Sequence, residues 1–179
     1  MFEYQNIIDK YYPQGSALRV IYTSHCRQVA ELALEIAARL RLPIDKETIE
    51  CAAMLHDIGI FLCDAPAIEC RGTHPYMLHG VLGADLLRRE GVPEEYALVA
   101  ERHTGSGITP AEAKALALPA DRSYLPDSLL ERLICYADKF YSKSGSAERK
   151  STESVRKSMA RFGTEALKRF DALQSEFKC

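Results

Sequence analysis

Six imidazole and carboxylate side chains lie at positions where an ordinary helical protein would not need them. Histidine and carboxylate ligands together suit borderline divalent metals such as iron, manganese, zinc, cobalt or nickel. The six residues are His25, His56, Asp57, His79, His103 and Asp138. Their types and order predict a site for one or two such ions. The fifth histidine, His74, has no place in this series.

The adjacent pair His56 and Asp57 is the strongest part of this pattern. The apolar run of residues 52–55 precedes the pair and Ile58 follows it. Burying two such groups unpaired would cost several kcal/mol each, so a metal or a tight hydrogen-bond network must compensate. On a helix the two side chains point roughly 100° apart, but both can reach an ion seated beyond the helix end. A single carboxylate can also bridge two metals.

The other candidates are weaker when each is taken alone. A lone histidine such as His79 or His103 is more often a satisfied core residue than a ligand. An aspartate such as Asp138, which precedes Lys139 and Phe140, is more often a surface charge or a helix cap. The ordered set therefore carries more weight than any one of these residues.

The elements that must position these groups are helices, and the predicted fold class is all-α. Apolar residues recur at spacings of three and four, while strand alternation is almost absent. Helices are predicted to begin near Ser24, Asp45, Met77, Pro93, Thr109 and Asp127, followed by two amphipathic helices near the C-terminus. His25 is expected in the first turn of its helix, and residues 60–75 and 117–127 are expected to be irregular.

Composition limits the class of protein. The chain has 179 residues, 47% hydrophobic and 27% charged, which excludes a disordered or fibrous protein and suits one domain. The net charge of −2 argues against a strongly nucleic-acid-binding domain or a polybasic anchor. No signal peptide or apolar run of roughly 18 residues is found, so we expect a cytoplasmic protein without a membrane span. The six cysteines form no CxxC pair and are expected to be reduced thiols.

Charge is unevenly distributed along the chain. Residues 139–179 contain ten basic and five acidic side chains, so this tail carries +5 and the remainder −7. Within it, Lys143 to Ser146 with Arg149 and Lys150 could close over a polyanion or form a solvated basic face. Nucleic-acid binding by the tail is not expected, because aromatic residues are not interleaved with its charges.

The order His25, His56-Asp57 and Asp138 resembles the H…HD…D signature of the HD superfamily of metal-dependent phosphohydrolases. Residues 56–59 match its HDIG variant. The segments around His79 and His103 resemble the extra histidines of its two-metal members. The resemblance covers about residues 20–141, and it implies an HD-domain helical bundle. We therefore expect a single HD domain over 1–179, with a basic helical C-terminal extension over about 142–179.

The resemblance also implies roles for the six residues. One divalent ion would be held by His25, His56, Asp57 and Asp138, and a second would share Asp57 and add His79 and His103. His56 and Asp57 would be the catalytic pair, and a water activated by the metal would attack phosphorus in line. On the substrate side we expect contributions from Arg102, Thr104 and Lys139.

The resemblance leaves the substrate open. The two-metal members include cyclic-dinucleotide phosphodiesterases and diadenosine-tetraphosphate hydrolases, but this chain lacks a GYP tripeptide and a lysine soon after the HD pair. The expected partner is a phosphorylated small molecule, a nucleotide or dinucleotide phosphoester. Two alternatives are a one-metal phosphomonoesterase, in which His79 and His103 bind phosphate, and a non-catalytic nucleotide-sensing module. The oligomeric state and the native metal are left open.

Overall fold

A computed structural model describes residues 2–144 and 148–178, and it confirms the all-α class. The nine α-helices of the described residues are α1 (Tyr4–Tyr11), α2 (Ala17–Leu40), α3 (Lys46–Leu55), α4 (His79–Arg89), α5 (Glu94–Arg102), α6 (Pro110–Ala115), α7 (Leu129–Asp138), α8 (Thr152–Ala160) and α9 (Thr164–Phe177). Two short strands, β1 (Asp64–Ala65) and β2 (Cys70–Arg71), pair antiparallel in the loop that was expected to be irregular. Short 3₁₀ turns occupy Ile60–Leu62, Pro66–Ile68 and Tyr76–Leu78.

Several helix starts follow from side-chain caps. Thr109 and Glu112 form the predicted capping box that opens α6. Asp45 accepts a hydrogen bond from the Thr48 N–H and opens α3. Ser16 caps α2 in the same way, so this helix begins seven residues earlier than expected and His25 lies in its third turn, not its first.

One further expectation is corrected, and one helix was missed. Pro93 precedes α5 as its N-terminal flanking residue, whereas it was expected at the first helical position. Helix α1 was not predicted, although it buries Ile7 and Ile8 in the core. The polar segment predicted between α7 and α8 includes Gly145 and Ser146, which lie outside the described residues.

The helices that carry the six candidate ligands share one core. Helix α2 packs on α3 and α7, α4 lies along α5, and α5 also contacts α3 and α7. The core continues into α9, whose Phe170 and Phe177 are fully buried against the ring of Tyr136. The last two helices therefore extend the bundle and are not a detached tail.

Two glycines allow helix α4 to approach its neighbours closely. A Cβ atom on Gly59 would lie 2.3 Å from the His79 carbonyl oxygen and 2.4 Å from the Gly83 nitrogen. A Cβ atom on Gly80 would lie 2.7 Å from the Ala100 carbonyl oxygen. Only glycine fits at these backbone contacts. The contacts hold the start of α4 against the turn of residues 56–59 and against α5.

Two other expectations bear on the chain as a whole. Five cysteines, all except Cys179, lie among the described residues, and they are free and buried. Among the helices of residues 2–144 and 148–178, none is long and apolar enough to cross a membrane.

Candidate metal centre

All six predicted ligands come together, and they are carried by five different helices or the residues next to them: His25 lies within α2, and the other five lie at or beside the ends of α3, α4, α5 and α7. They are buried, and their ligand atoms form two groups in which every atom lies within 4.8 Å of the others. We call His25, His56, Asp57 and Asp138 the first half of the site. Asp57, His79 and His103 form the second half. Asp57 belongs to both.

The two oxygens of the Asp57 carboxylate face the two halves separately. Its Oδ2 lies 3.2 Å from Nε2 of His25 and 3.2 Å from Nε2 of His56. Its Oδ1 lies 3.5 Å from Nε2 of His79 and 3.3 Å from Nε2 of His103. Asp138 completes the first half, with Oδ1 3.0 Å from His25 Nε2. This is the geometry of a carboxylate that can bridge two ions.

Three of the four histidines are oriented by their own local backbone. In each, Nδ1–H donates to the carbonyl oxygen three residues earlier, because a carbonyl can only accept. The pairs are His56 with Ala53 at 2.6 Å, His79 with Tyr76 at 2.7 Å, and His103 with Ala100 at 2.8 Å. Each bond places a proton on Nδ1 and turns Nε2 toward the cluster, which is the orientation that metal-ligating histidines require.

The donor set fits divalent ions. His56 Nε2 and Asp57 Oδ1 are buried and have no hydrogen-bond partner among the described residues. Such orphaned polar atoms are costly and rare unless a ligand satisfies them. Four imidazoles and two carboxylates match the ligand preference of borderline transition metals.

Two lysines stabilise the ionised carboxylates. Lys143 Nζ lies 2.6 Å from Asp57 Oδ2, and Lys139 Nζ lies 2.6 Å from Asp138 Oδ2. Burial opposes the charge on Asp57, but Lys143 and His56 outweigh it and hold the pKa of this carboxyl well below its usual range. Burial likewise opposes the charge on Asp138, and Lys139 and His25 hold its pKa well below its usual range.

The surroundings of His56, His79 and His103 shift their pKa values in different directions. Burial lowers the pKa of His79 to about 3, and the neighbouring His103 contributes to this shift. Burial also lowers the pKa of His103. For His56, burial opposes the charged form, but Asp57 and Cys26 outweigh it and raise the pKa well above its usual range. The second half thus presents neutral imidazoles, the form that binds metal.

A cavity of about 400 Å³ opens beside Asp138. We call it the lysine cavity, because Lys139, Lys143 and Lys150 line it, and Asp138 is the only acidic residue among its described lining. Tyr76 also lines it and stacks on the His79 ring, with ring centroids 4.6 Å apart. Sequence reasoning missed Tyr76, which has no signal of its own because its role depends on the 3₁₀ turn before α4.

The structure places the three predicted substrate-side residues differently. Lys139 lines the lysine cavity. Thr104 lines a second cavity next to it, described below. The Arg102 guanidinium instead pairs with Glu131 at 3.0 Å and with the Ser123 carbonyl, so it is not brought together with the ligands.

Comparisons with known proteins identify relatives of this chain. The HD domain family model matches residues 22–142. An uncharacterized protein of Methanocaldococcus jannaschii is 39% identical over 117 residues, which cover 64% of this chain and 62% of that protein. A tRNA (cytidine(56)-2′-O)-methyltransferase of Thermoplasma volcanium is 34% identical over 138 residues, covering 77% of this chain and 36% of that enzyme. The chain thus spans less than two thirds of the length of either relative.

A solved structure shows a similar fold. The HD domain of the L. monocytogenes phosphodiesterase PgpH superposes with a TM-score of 0.54 and 18% identity, covering 98% of this chain and 97% of that one. This likeness includes the last two helices and concerns the fold alone. Together with the family match and the paired ligand groups, the resemblance seen in the sequence is confirmed: the chain belongs to the HD-domain family.

Proposed function

We propose that the protein is a metal-dependent phosphohydrolase that cleaves a phosphoester of a nucleotide or dinucleotide with water. The observation that carries this proposal is the Asp57 carboxylate, whose two oxygens face two separate sets of histidines. Membership of the HD-domain family supports the same chemistry.

The ligand roles follow from the distances. His25, His56, Asp57 Oδ2 and Asp138 would hold one divalent ion, and Asp57 Oδ1, His79 and His103 would hold a second. When bound, such ions supply a Lewis acid that polarises a phosphoryl oxygen and makes water a better nucleophile at neutral pH. Because every ligand is buried, bulk water is excluded and electrostatic interactions with a bound phosphate are strengthened.

The lysine cavity presents ammonium groups that can bind a phosphate. Lys139 and Lys143 each contact a ligand carboxylate and also line the cavity, so both ammonium groups lie at the boundary between the ions and the substrate. Charge-assisted hydrogen bonds from lysine to phosphate oxygens are among the stronger polar contacts. We assign phosphate binding to these two residues, with Lys150 further along the cavity.

The one-metal alternative loses support from the histidine tautomers. His79 and His103 both donate Nδ1–H to backbone carbonyls, and their Nε2 atoms lie 3.0 Å apart. These Nε2 atoms are acceptors while the rings are neutral, whereas phosphate binding requires donors. The pair is therefore better suited to a metal than to a phosphate.

Methyl transfer is not proposed for this chain. The T. volcanium relative is named for that activity on tRNA, but the match covers only 36% of that enzyme. The proposed activity depends on the buried ligands, which lie in the part of the chain that matches the HD family.

Metal analysis combined with a substrate screen tests the proposal. Protein purified without chelator is expected to contain one to two transition-metal ions per chain. It should hydrolyse at least one member of a panel of mono-, di-, cyclic and polyphosphorylated nucleotides with manganese, iron or cobalt. The same panel separates a phosphomonoesterase from a phosphodiesterase.

The matched variants are Asp57→Ala and Asp64→Ala, the second being an exposed aspartate in β1. Asp57→Ala should lose both the ions and the turnover, while Asp64→Ala should keep both. Unchanged turnover in Asp57→Ala would refute the mechanism. Metal binding without any hydrolysis across the panel would favour the nucleotide-sensing alternative.

A further inference from the structure

A second cavity, of about 310 Å³, lies next to the lysine cavity and differs from it in character. We call it the apolar cavity. Its apolar lining includes Met77 in the 3₁₀ turn before α4, Leu116 just after α6, Met159 in α8 and Phe162 just after α8. Its size lies at the small end of the range for ligand sites, which are mostly apolar with a few placed polar groups.

The two cavities are neighbours through shared and adjacent residues. Met159 lines both of them. Tyr76 lines the lysine cavity, and the next residue, Met77, lines the apolar cavity. Thr104, which directly follows the ligand His103, also lines the apolar cavity. The two cavities therefore share a boundary at Met159, so a single molecule that occupied both would lie against this residue.

Two observations indicate that the apolar cavity takes a ligand. Leu116 and Phe162 line it and are 43% and 65% exposed, among the large hydrophobic residues that the fold leaves open to solvent. The polar side chains of Thr104, Glu112 and Arg169 line it as well. A mostly apolar lining with a few polar groups is the usual character of a small-molecule site.

These features together specify the chemistry of an occupant. Apolar side chains suit the faces of a flat ring, and the polar groups in the same lining suit donors and acceptors on the edge of that ring. An alkyl chain would cover the apolar walls but make no use of the polar groups. A sugar would use the polar groups but gain little from methionine, leucine and phenylalanine.

We infer that the apolar cavity is a specificity subsite, which receives a planar heteroaromatic ring attached to the phosphate held in the lysine cavity. A nucleobase is a ring of this kind. The inference rests on the proposed function, because it needs a phosphate bound beside the ligands. It adds the part of the site that would distinguish a nucleotide from other phosphate esters.

Calorimetric titration of the manganese-loaded protein tests this subsite with three probes: adenosine 5′-monophosphate, ribose 5-phosphate and inorganic phosphate. Hydrolysis of a nitrophenyl phosphate ester is measured in parallel. The nucleotide should bind roughly tenfold more tightly than ribose 5-phosphate, since stacking a base on apolar and aromatic groups contributes on this scale.

Variants of exposed residues locate the effect with little risk to folding. Phe162→Ala and Leu116→Ala should each weaken nucleotide binding by roughly five- to tenfold and leave ribose 5-phosphate unchanged. Val20→Ala is the matched control, since Val20 is 62% exposed on α2 and lines neither cavity.

The outcomes separate the inference from the proposed function. Equal affinity for the nucleotide and ribose 5-phosphate, with the nitrophenyl ester hydrolysed, would overturn the subsite and leave the phosphohydrolase intact. A nucleotide preference that survives both Phe162→Ala and Leu116→Ala would also overturn it. If no probe binds and no ester is hydrolysed, the proposed function fails and the subsite fails with it.

Discussion

The helices that carry the ligands and the helices that cover the cavities are held in place by different kinds of contact. We call α2–α5 and α7 the ligand frame, and α6, α8 and α9 the cover. In the frame, backbone meets backbone at Gly59 and Gly80, with no room for a side chain. The cover joins through side chains, such as the Arg132–Glu176 ion pair and the buried Phe170.

This difference separates two tasks. Backbone contacts leave little freedom, so the frame holds the six ligands in fixed positions. Side-chain contacts can be exchanged one at a time without moving the backbone they join. The cover supplies part of the lining of both cavities, including Met159 in each. Substitutions in the cover can therefore change the preferred substrate while the frame keeps the ligands in place.

The largest expected effect comes from removing one ligand of the frame. His103→Ala should lose the ion of the second half and keep that of the first, because His103 is a ligand of the second half alone. Metal content should fall by one ion per chain, and turnover by more than about 100-fold. His74→Ala, an exposed histidine outside the cluster, serves as control. Two ions retained in His103→Ala would show that the ligand assignment is wrong.

A smaller effect is expected when the frame's backbone contact is disturbed. Gly59→Ala would place a Cβ atom 2.3 Å from the His79 carbonyl oxygen, so α4 must move and carry His79 with it. We expect a loss of about 1–3 kcal/mol in the free energy of unfolding, together with weaker binding of the second ion. Denaturant titration and metal analysis measure the two effects.

Gly15→Ala is the control for this prediction. Gly15 has a positive φ of 76° but nothing within 4 Å of an added Cβ. It should lose roughly 1 kcal/mol from backbone strain and keep its metal content. Equal metal loss in both variants would contradict a special role for Gly59.

Lys143 lies where the frame meets the lysine cavity. Its ammonium group contacts Asp57 Oδ2, so Lys143→Met removes a cation that competes with a divalent ion for this oxygen. We expect metal affinity to rise by about tenfold, or ~1.4 kcal/mol, while KM for the substrate increases. The exposed Lys46→Met should change neither. A fall in metal affinity for Lys143→Met would contradict the competition.

The smallest expected effect concerns a contact within the cover. Partial burial opposes the charge on Glu112, but Arg169 and the Thr109 N–H outweigh it and hold the pKa of this carboxyl below its ordinary value of 4.5. A lowered pKa in the folded state stabilises the protein above that value, and the contribution is lost as the pH falls through the lowered pKa.

Glu112→Gln measures this contribution, because it removes the titrating group. The variant should be less stable than the wild type at pH 6.5, by less than about 1 kcal/mol because the pair is partly exposed. The difference should shrink progressively as the pH is lowered below 4.5. A difference that does not change with pH would show that packing, not charge, accounts for it.

The sequence carries most of the information about the frame. Ligand chemistry is a property of residue type, so His56 and Asp57 in an apolar run could be recognised before any contact was known. The start of α2 was misplaced because its capping residue, Ser16, precedes the apolar stripe by several residues. Gly59 was identified only as part of the matched residues 56–59, because its contact with His79 joins two elements and leaves no local pattern.

The role of the cover is much harder to predict from the sequence than the role of the frame. Met159 looks like an ordinary core residue of an amphipathic helix, and only the packing of α8 places it between two cavities. Arg102 was expected at the substrate because it precedes a ligand, but Glu131, 29 residues further on, pairs with it. Long-range partners of this kind leave no local pattern.

The hydrogen bonds that orient His56, His79 and His103 have a consequence for how the site tolerates mutation. Their acceptors are main-chain carbonyls, which every amino acid possesses. Replacing the side chain of Ala53, Tyr76 or Ala100 therefore cannot delete an acceptor, whereas an acidic or amide side chain in that role could be lost in one step. Substitutions at these positions therefore keep the hydrogen bonds that orient the imidazoles, provided that the local backbone conformation is unchanged. Conservation of the histidines themselves is the stricter requirement.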